Sequence, residues 1–258
     1  MAIKKQVPNI ITMLNLLCGA IAAIFAVQGN LIMAAIFVGL GIFFDFFDGL
    51  AARALNVKSE LGLQLDSLAD MVTSGLVPGI VMFQLLKRAL PGEATTTSEW
   101  QASGVWFEWN FPTLALIGLL IAAASGYRLA KFNIDDRQTD SFIGLPTPAN
   151  ALLILSLPLI LAFQPHPWAV DIILNEWFLI ILTFLSCYML NAEIPLFALK
   201  LSDWSFKKNK LRYFFIAYCL VMIIIFQFIA IPLIILSYVI VSLVFPEKEK
   251  AESRVETK

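Results

Sequence analysis

Four aspartates, Asp45, Asp48, Asp66 and Asp70, stand in the stretch "DFFDGLAARALNVKSELGLQLDSLAD" at or beside apolar segments. On a helix turning about 100° per residue, Asp45 and Asp48 lie about 60° apart and Asp66 and Asp70 about 40° apart, so each pair shares a face. The short polar segment between the pairs lets two helices run antiparallel and bring all four carboxylates together. Oxygen-only ligands with no His or Cys nearby suit a hard ion such as Mg²⁺, Mn²⁺ or Ca²⁺. Two divalent ions would balance four negative charges, and ions held in this way clamp diphosphates and stabilise phosphoryl transfer. Gly49 follows Asp48, Ala52 lies a turn later and Gly62 a turn before Asp66, so backbone and ligand can approach closely there. Two other readings stay open at this point. Aspartates inside membranes also line the cation paths of transporters, and Asp48 and Asp66 can lie in the solvated interface.

The elements that must position these groups are set by composition. The chain is 59% hydrophobic and 14% charged, with a mean hydropathy of +0.82. Those values exclude a soluble globular domain and predict an integral membrane protein, all-α, built as a polytopic transmembrane helical bundle. Runs long enough to span number about eight: 9–27, 31–49, 66–86, 112–131, 147–163, 177–192, 213–229 and 233–245. The last two form one apolar block containing Pro232, which reads either as a tight helical hairpin or as one kinked helix.

Lys and Arg favour cytoplasmic loops, and their distribution orients the bundle. With Lys4 and Lys5 inside, eight spans also place Arg53, Lys58, Lys131, Arg137, Lys200, Lys207, Lys208, Lys210, Arg212, Lys248 and Lys250 inside. Only Lys87 and Arg88 fall outside, ahead of a loop carrying Glu93, Glu99 and Glu108. Both termini and the aspartate stretch are therefore expected at the cytoplasmic face of a cell inner membrane. The first apolar run reads as a retained span rather than a cleaved leader. Cys18, Cys187 and Cys219 lack metal-ligand spacing and read as small buried hydrophobes, and His166 as incidental. Trp100, Trp106, Trp109, Trp168 and Trp177 fall near the expected outer boundary, as an aromatic belt does. Phe43, Phe44, Phe46 and Phe47 are expected to meet lipid or neighbouring helices. No nucleic-acid partner is expected.

In order, the residues are Asp45, two others, Asp48-Gly49, two others, Ala52-Arg53, eight others, Gly62, three others, Asp66, three others, Asp70. This series resembles the complete signature of the CDP-alcohol phosphatidyltransferase family. The resemblance implies a six-helix core, usually dimeric, that transfers a phosphatidyl group from CDP-diacylglycerol to an alcohol with release of CMP. It implies that Asp45, Asp48, Asp66 and Asp70 bind Mg²⁺ or Mn²⁺, as two ions, and that Asp70 is the general base. It also implies that Gly49, Ala52 and Gly62 shape the nucleotide pocket, with Arg53 part of the same signature.

Two further stretches, "PNIITMLNLLCGA" from Pro8 and "YRLAKFNIDDRQTDSFIGLPTPAN" from Tyr127, are similar to membrane-embedded bacterial phosphatidylserine synthases, a branch of that family. They imply L-serine as acceptor. Arg128 and Lys131, one turn apart, can bind serine's carboxylate or a lipid phosphate, or snorkel to anionic headgroups. Asn133 and the rigid "GLPTPA" can close the pocket. Thr12 and Asn15 share a face that looks either toward the headgroup site or into an interhelical hydrogen bond. The basic segment Lys207 to Arg212 can hold CDP-diacylglycerol near the surface or simply enforce topology. The expected division is a catalytic core over 1–192, a basic loop with two accessory helices over 193–246, and a charged tail over 247–258. Two rivals stand beside serine transfer. One is a relative using glycerol 3-phosphate or inositol phosphate; the other is a cation-coupled transporter, although no repeated half with matching broken helices is present.

Overall fold

The computed structural model describes residues 2–57, 59–90, 112–134, 142–196 and 210–244. Lys58, the outer segment with Trp100, Trp106 and Trp109, the basic loop from Lys200 to Lys208 and the tail lie outside the described residues, as do the side chains of Lys4, Lys5, Lys210 and Arg212.

Helix α1 (Ala2–Val27) ends where Gly29 takes φ +78° and releases the chain. Asn30 then caps α2 (Leu31–Ala54), its side chain accepting from the Met33 amide at 3.2 Å. Helix α2 runs one turn beyond the expected end at 49, which carries Arg53 on the helix. Asn56, with φ 53°, turns the chain, and the Ser59 hydroxyl accepts from the Gly62 amide at 3.0 Å to start α3 (Glu60–Asp70). A π-helical turn (Met71–Leu76) leads without a break into α4 (Val77–Ala89). A 3₁₀ turn (Thr113–Leu119) precedes α5 (Leu120–Ile134). Then come α6 (Thr147–Phe163), the short α7 (Pro167–Ile173), α8 (Glu176–Asn191), α9 (Lys210–Phe226) and α10 (Ala230–Val244). Two-residue strands β1 (Phe142–Ile143) and β2 (Pro195–Leu196) form an antiparallel clip.

The protein is an all-α polytopic bundle. Gln6–Val27, Leu31–Ala54, Glu60–Ala89 and Thr113–Ile134 are each long and apolar enough to cross a membrane. Helices α7 and α8, bent by 63°, qualify together, and α6, at 17 residues, is slightly short. Tyr213–Val244 is an unbroken apolar run counted as one span by length, yet it folds back on itself. Phe215 near its start packs against Tyr238 near its end with ring centroids 5.9 Å apart. A continuous helix would hold those residues about 34 Å apart. The reversal falls at Gln227, φ 50°, and α6 fastens it: Gln164 Nε2 donates to the Phe226 carbonyl at 3.2 Å while its Oε1 accepts from the Ile229 amide. Of the two readings of this block, the hairpin is correct; its arms, α9 and α10, are 17 and 15 residues long. Among the described residues five helices, or six with the bent pair, are long and apolar enough to cross a membrane, against the eight spans expected.

Small residues let the helices approach. Ala22 and Ala26 of α1 and Ala34 of α2 are fully buried with Val77, Val81 and Met82 of α4. A Cβ on Gly118 would lie 2.5 Å from the Phe83 amide nitrogen, so α4 and the 3₁₀ turn touch through backbone. Large apolar residues such as Ile10, Leu17, Ile24, Phe43 and Phe46 face outward, as lipid-facing positions do. At the end of α1 remote from the aspartates, Gln84 Nε2 donates to the Ala26 and Val27 carbonyls at 3.0 and 2.9 Å, and Arg88 Nη2 donates to Gly29 O at 3.2 Å. These side chains add donors to carbonyls at and just beyond the helix end, where the helical ladder runs out. Trp168 and Trp177 are exposed at that same end.

Candidate metal centre and active site

The α1–α2 and α3–α4 segments meet at the opposite end. Helix α2 carries Asp45 and Asp48, α3 carries Asp66, and one carboxylate oxygen from each lies within 4.8 Å of the others. Asp48 is buried, and Asp45 and Asp66 are half-buried. Unit charges at such separations repel by roughly 3 kcal/mol per pair at an effective dielectric of about 20. The one ion pair among the described residues, Lys131 with Glu193 at 3.3 Å, does nothing to offset this. Arg53 is exposed and its Nε donates to the Gly49 carbonyl at 2.9 Å. An all-oxygen, anionic and cation-poor donor set fits a hard divalent ion.

Helix α1 holds this arrangement from the side. Thr12 Oγ1 donates to Asp48 Oδ2 at 2.6 Å. One turn on, Asn15 Nδ2 donates to Asp70 Oδ1 at 3.4 Å. Thr12 and Asn15 are both buried, so the shared α1 face read from sequence is directed at the carboxylates. Asp70 lies outside the 4.8 Å group but is in electrostatic reach of Asp66, Asp48 and Arg128. Of the four aspartates, three are brought together tightly, and the fourth is in electrostatic reach both of them and of Arg128.

A cleft of about 710 Å³ opens beside the cluster. Its walls include Asp48, Gly49, Ala52, Arg53, Gly62 and Asp66, with Pro8, Asn9 and Thr12 from α1. The two glycines serve differently. A Cβ on Gly62 would lie 3.0 Å from Ser59 Oγ and 3.2 Å from Asn9 Oδ1, so Gly62 permits the close approach of α3 to α1. A Cβ on Gly49 would meet nothing nearer than Arg53 Nη2 at 3.8 Å, so Gly49 leaves room within the cleft itself.

The residues read as an acceptor pocket divide. Arg128 is buried at 8% exposure, and its Nε has no hydrogen-bond partner among the described residues. The Ser125 hydroxyl, one turn earlier on α5, is also buried and without a partner. Lys131 instead pairs with Glu193, and Asn133 Nδ2 donates to Ser67 Oγ at 2.9 Å, tying α5 to α3. The "GLPTPA" segment braces the end of α8 and the residues that follow it: the Leu145 amide donates to Met189 O at 2.8 Å and the Gly144 amide to Ile194 O at 3.0 Å. Gly144, at φ +76°, has three carbonyls of that segment where a Cβ would stand, the nearest being Leu190 O at 2.8 Å. Phe43, Phe46 and Phe47 are exposed and pack on one another rather than into the cleft.

The sequence model of the CDP-alcohol phosphatidyltransferase family matches residues 5–188. The chain belongs to this family. All eight signature positions lie inside the match, and six of them, all but Asp45 and Asp70, line the cleft. Family membership makes it a phosphotransferase, and family members generally depend on a divalent metal. The chain is 35% identical over 163 residues to the CDP-diacylglycerol–serine O-phosphatidyltransferase of Bacillus subtilis, covering 63% of this chain and 78% of that protein. It is 28% identical over 151 residues to the enzyme of the same name from Helicobacter pylori strain J99, covering 57% and 55%. With that of Methanocaldococcus jannaschii it shares 32% over 150 residues, covering 58% of each. The chain thus spans little more than half of the latter two relatives.

Residues to which the sequence assigned no role also enter the site. Asn9 and Pro8 line the cleft, and Thr73 contacts Asn15. Asn9 carried a signal, since it stands one helical turn before Thr12. Thr73 carried only its polarity within an apolar span.

Proposed function

We propose that this protein transfers the phosphatidyl group of CDP-diacylglycerol to L-serine, forming phosphatidylserine and CMP. The observation that carries the proposal is the agreement between the acidic cluster beside the cleft and the serine acceptor in the names of all three relatives. In the reaction the serine hydroxyl oxygen bonds to the phosphorus that bears diacylglycerol. The anhydride bond to CMP breaks, and the hydroxyl proton passes to Asp70. Asp45, Asp48, Asp66 and Asp70 would hold two divalent ions, Mg²⁺ or Mn²⁺, which supply charge neutralisation at the diphosphate. Thr12 fixes the Asp48 carboxylate, and Asn15 that of Asp70. Gly49, Ala52, Arg53 and Gly62, which line the cleft, would border the nucleotide. Arg128, buried with a free donor, takes the serine carboxylate, because an unpaired buried donor is costly until an anion fills it.

The test follows CMP release from CDP-diacylglycerol with serine, glycerol 3-phosphate or inositol phosphate. Serine alone is expected to support it. Arg128→Lys, which keeps the charge and loses the fork, is expected to raise the serine KM by about tenfold, in line with one lost charge-assisted hydrogen bond. Release with glycerol 3-phosphate and none with serine would overturn the acceptor. A rise confined to the CDP-diacylglycerol KM would move Arg128 to the lipid phosphate.

The catalytic core is assigned to residues 1–192, the α9–α10 hairpin is accessory, and the enzyme is a homodimer in the inner membrane with its site facing the cytoplasm. The Lys and Arg distribution supports that orientation. Leu55, exposed in the turn between α2 and α3, reports it. Leu55→Cys, in a background without Cys18, Cys187 and Cys219, should react with an impermeant maleimide only in inverted vesicles. Labelling in sealed right-side-out vesicles would reverse the topology.

A further inference from the structure

Asn15 is fully buried, and its side-chain amide is used at both ends. Thr73 Oγ1 donates to Asn15 Oδ1 at 2.8 Å, and Asn15 Nδ2 donates to Asp70 Oδ1 at 3.4 Å. A carboxylate accepts hydrogen bonds and offers none, so the amide must present its nitrogen to Asp70. In the flipped amide, an oxygen would face that carboxylate. The Thr73 hydroxyl opposes the flip by giving its proton to Oδ1, and the Asn15 backbone carbonyl at 3.2 Å is its other acceptor. We infer that Thr73 is a positioning residue for the transfer reaction, acting through Asn15 to orient the Asp70 carboxylate.

The packing around Thr73 is shaped for this contact. A Cβ on Gly19 of α1 would collide with Thr73 Oγ1. A Cβ on Gly41 of α2 would lie 2.6 Å from Thr73 Cγ2 and 2.8 Å from Asn15 Oδ1. Two neighbouring helices therefore lack side chains where Thr73 enters between them. Thr73 also belongs to the π-helical turn that begins directly after Asp70; single π turns inside α-helices recur at functional sites. Buried at 1% exposure, Thr73 is not one of the residues that line the cleft, so the relay through Asn15 is the route by which it acts on the site.

The inference rests on Asp70 as the base, and a double-mutant cycle separates the two claims. CMP release with serine is measured on the full-length protein in lipid bilayers. Thr73→Val, close in shape but without the hydroxyl, is expected to lower kcat by about tenfold, the weight of one hydrogen bond in a charged network, while the CDP-diacylglycerol KM stays within about twofold. Thr73→Ser is expected to restore most of the rate. Asn15→Ala should be slow, and adding Thr73→Val to it should slow the enzyme no further. If the two losses multiply in the double variant, or if Thr73→Ser is as slow as Thr73→Val, the relay is overturned and Thr73 serves packing alone. If Thr73→Val does not fold, Thr73→Ala and Thr73→Ser give the same comparison. An Asp70→Asn enzyme of normal rate would instead overturn the base.

Discussion

Asp70→Asn is expected to lower kcat by about 10²- to 10⁴-fold, the range over which a positioned general base accelerates proton transfer. The carboxamide keeps the size of the side chain and can still meet Asn15, so the α1–α3 packing should survive. What it loses is the capacity to accept the serine proton and one negative charge facing the metal site. Because six of the eight signature positions line the cleft and Asp70 does not, the CDP-diacylglycerol KM should change far less than kcat. Steady-state kinetics at saturating serine decides the matter. A kcat within a few-fold of normal would remove Asp70 from the proton path and leave Asp66 or a solvent molecule as acceptor.

Removal of divalent ions is expected to abolish CMP release altogether, with Mg²⁺ or Mn²⁺ restoring it. Three carboxylates within 4.8 Å, with no ion pair among the described residues to offset them, make a site whose charge is unbalanced without a cation. Asp45→Asn and Asp66→Asn should each raise the ion concentration needed for half-maximal rate. Calorimetric titration of ion into the chelated protein should show the same weakening independently of turnover. Full activity in exhaustively chelated protein would return the aspartates to the transporter reading.

The sequence made the carboxylates legible because charge in an apolar run is costly and their spacing is helical. The α1 face was legible for the same reason, since Thr12 and Asn15 are polar residues three apart. Lys131 and Asn133 were harder: their chemistry suits a pocket, but their partners, Glu193 and Ser67, are distant in sequence. The role of "GLPTPA" likewise depends on carbonyls of α8 and the residues that follow it, which no local pattern announces. The π turn is invisible to periodicity over six residues, so Thr73 could not be placed opposite Asn15. The close approach of Thr73 to Gly19 and Gly41 is a tertiary contact that no local pattern announces. Sequence alone does not separate a hairpin from a kinked helix over 213–245, because Pro232 lies beyond the true reversal at Gln227.

The clasp of Gln84 and Arg88 over the end of α1 bears on how the protein is made. Synthesis proceeds from the N-terminus, so the α1–α2 hairpin emerges first, with Thr12 and Asp48 on adjacent helices. The carbonyls of Ala26, Val27 and Gly29 lack these donors until residues 84 to 88 have been translated. The same α3–α4 segment delivers Asp66, Asp70 and Thr73 at its other end. Docking one nascent segment thus closes the far end of the first hairpin and completes the acidic cluster at the near end, so the first hairpin alone carries no finished metal site.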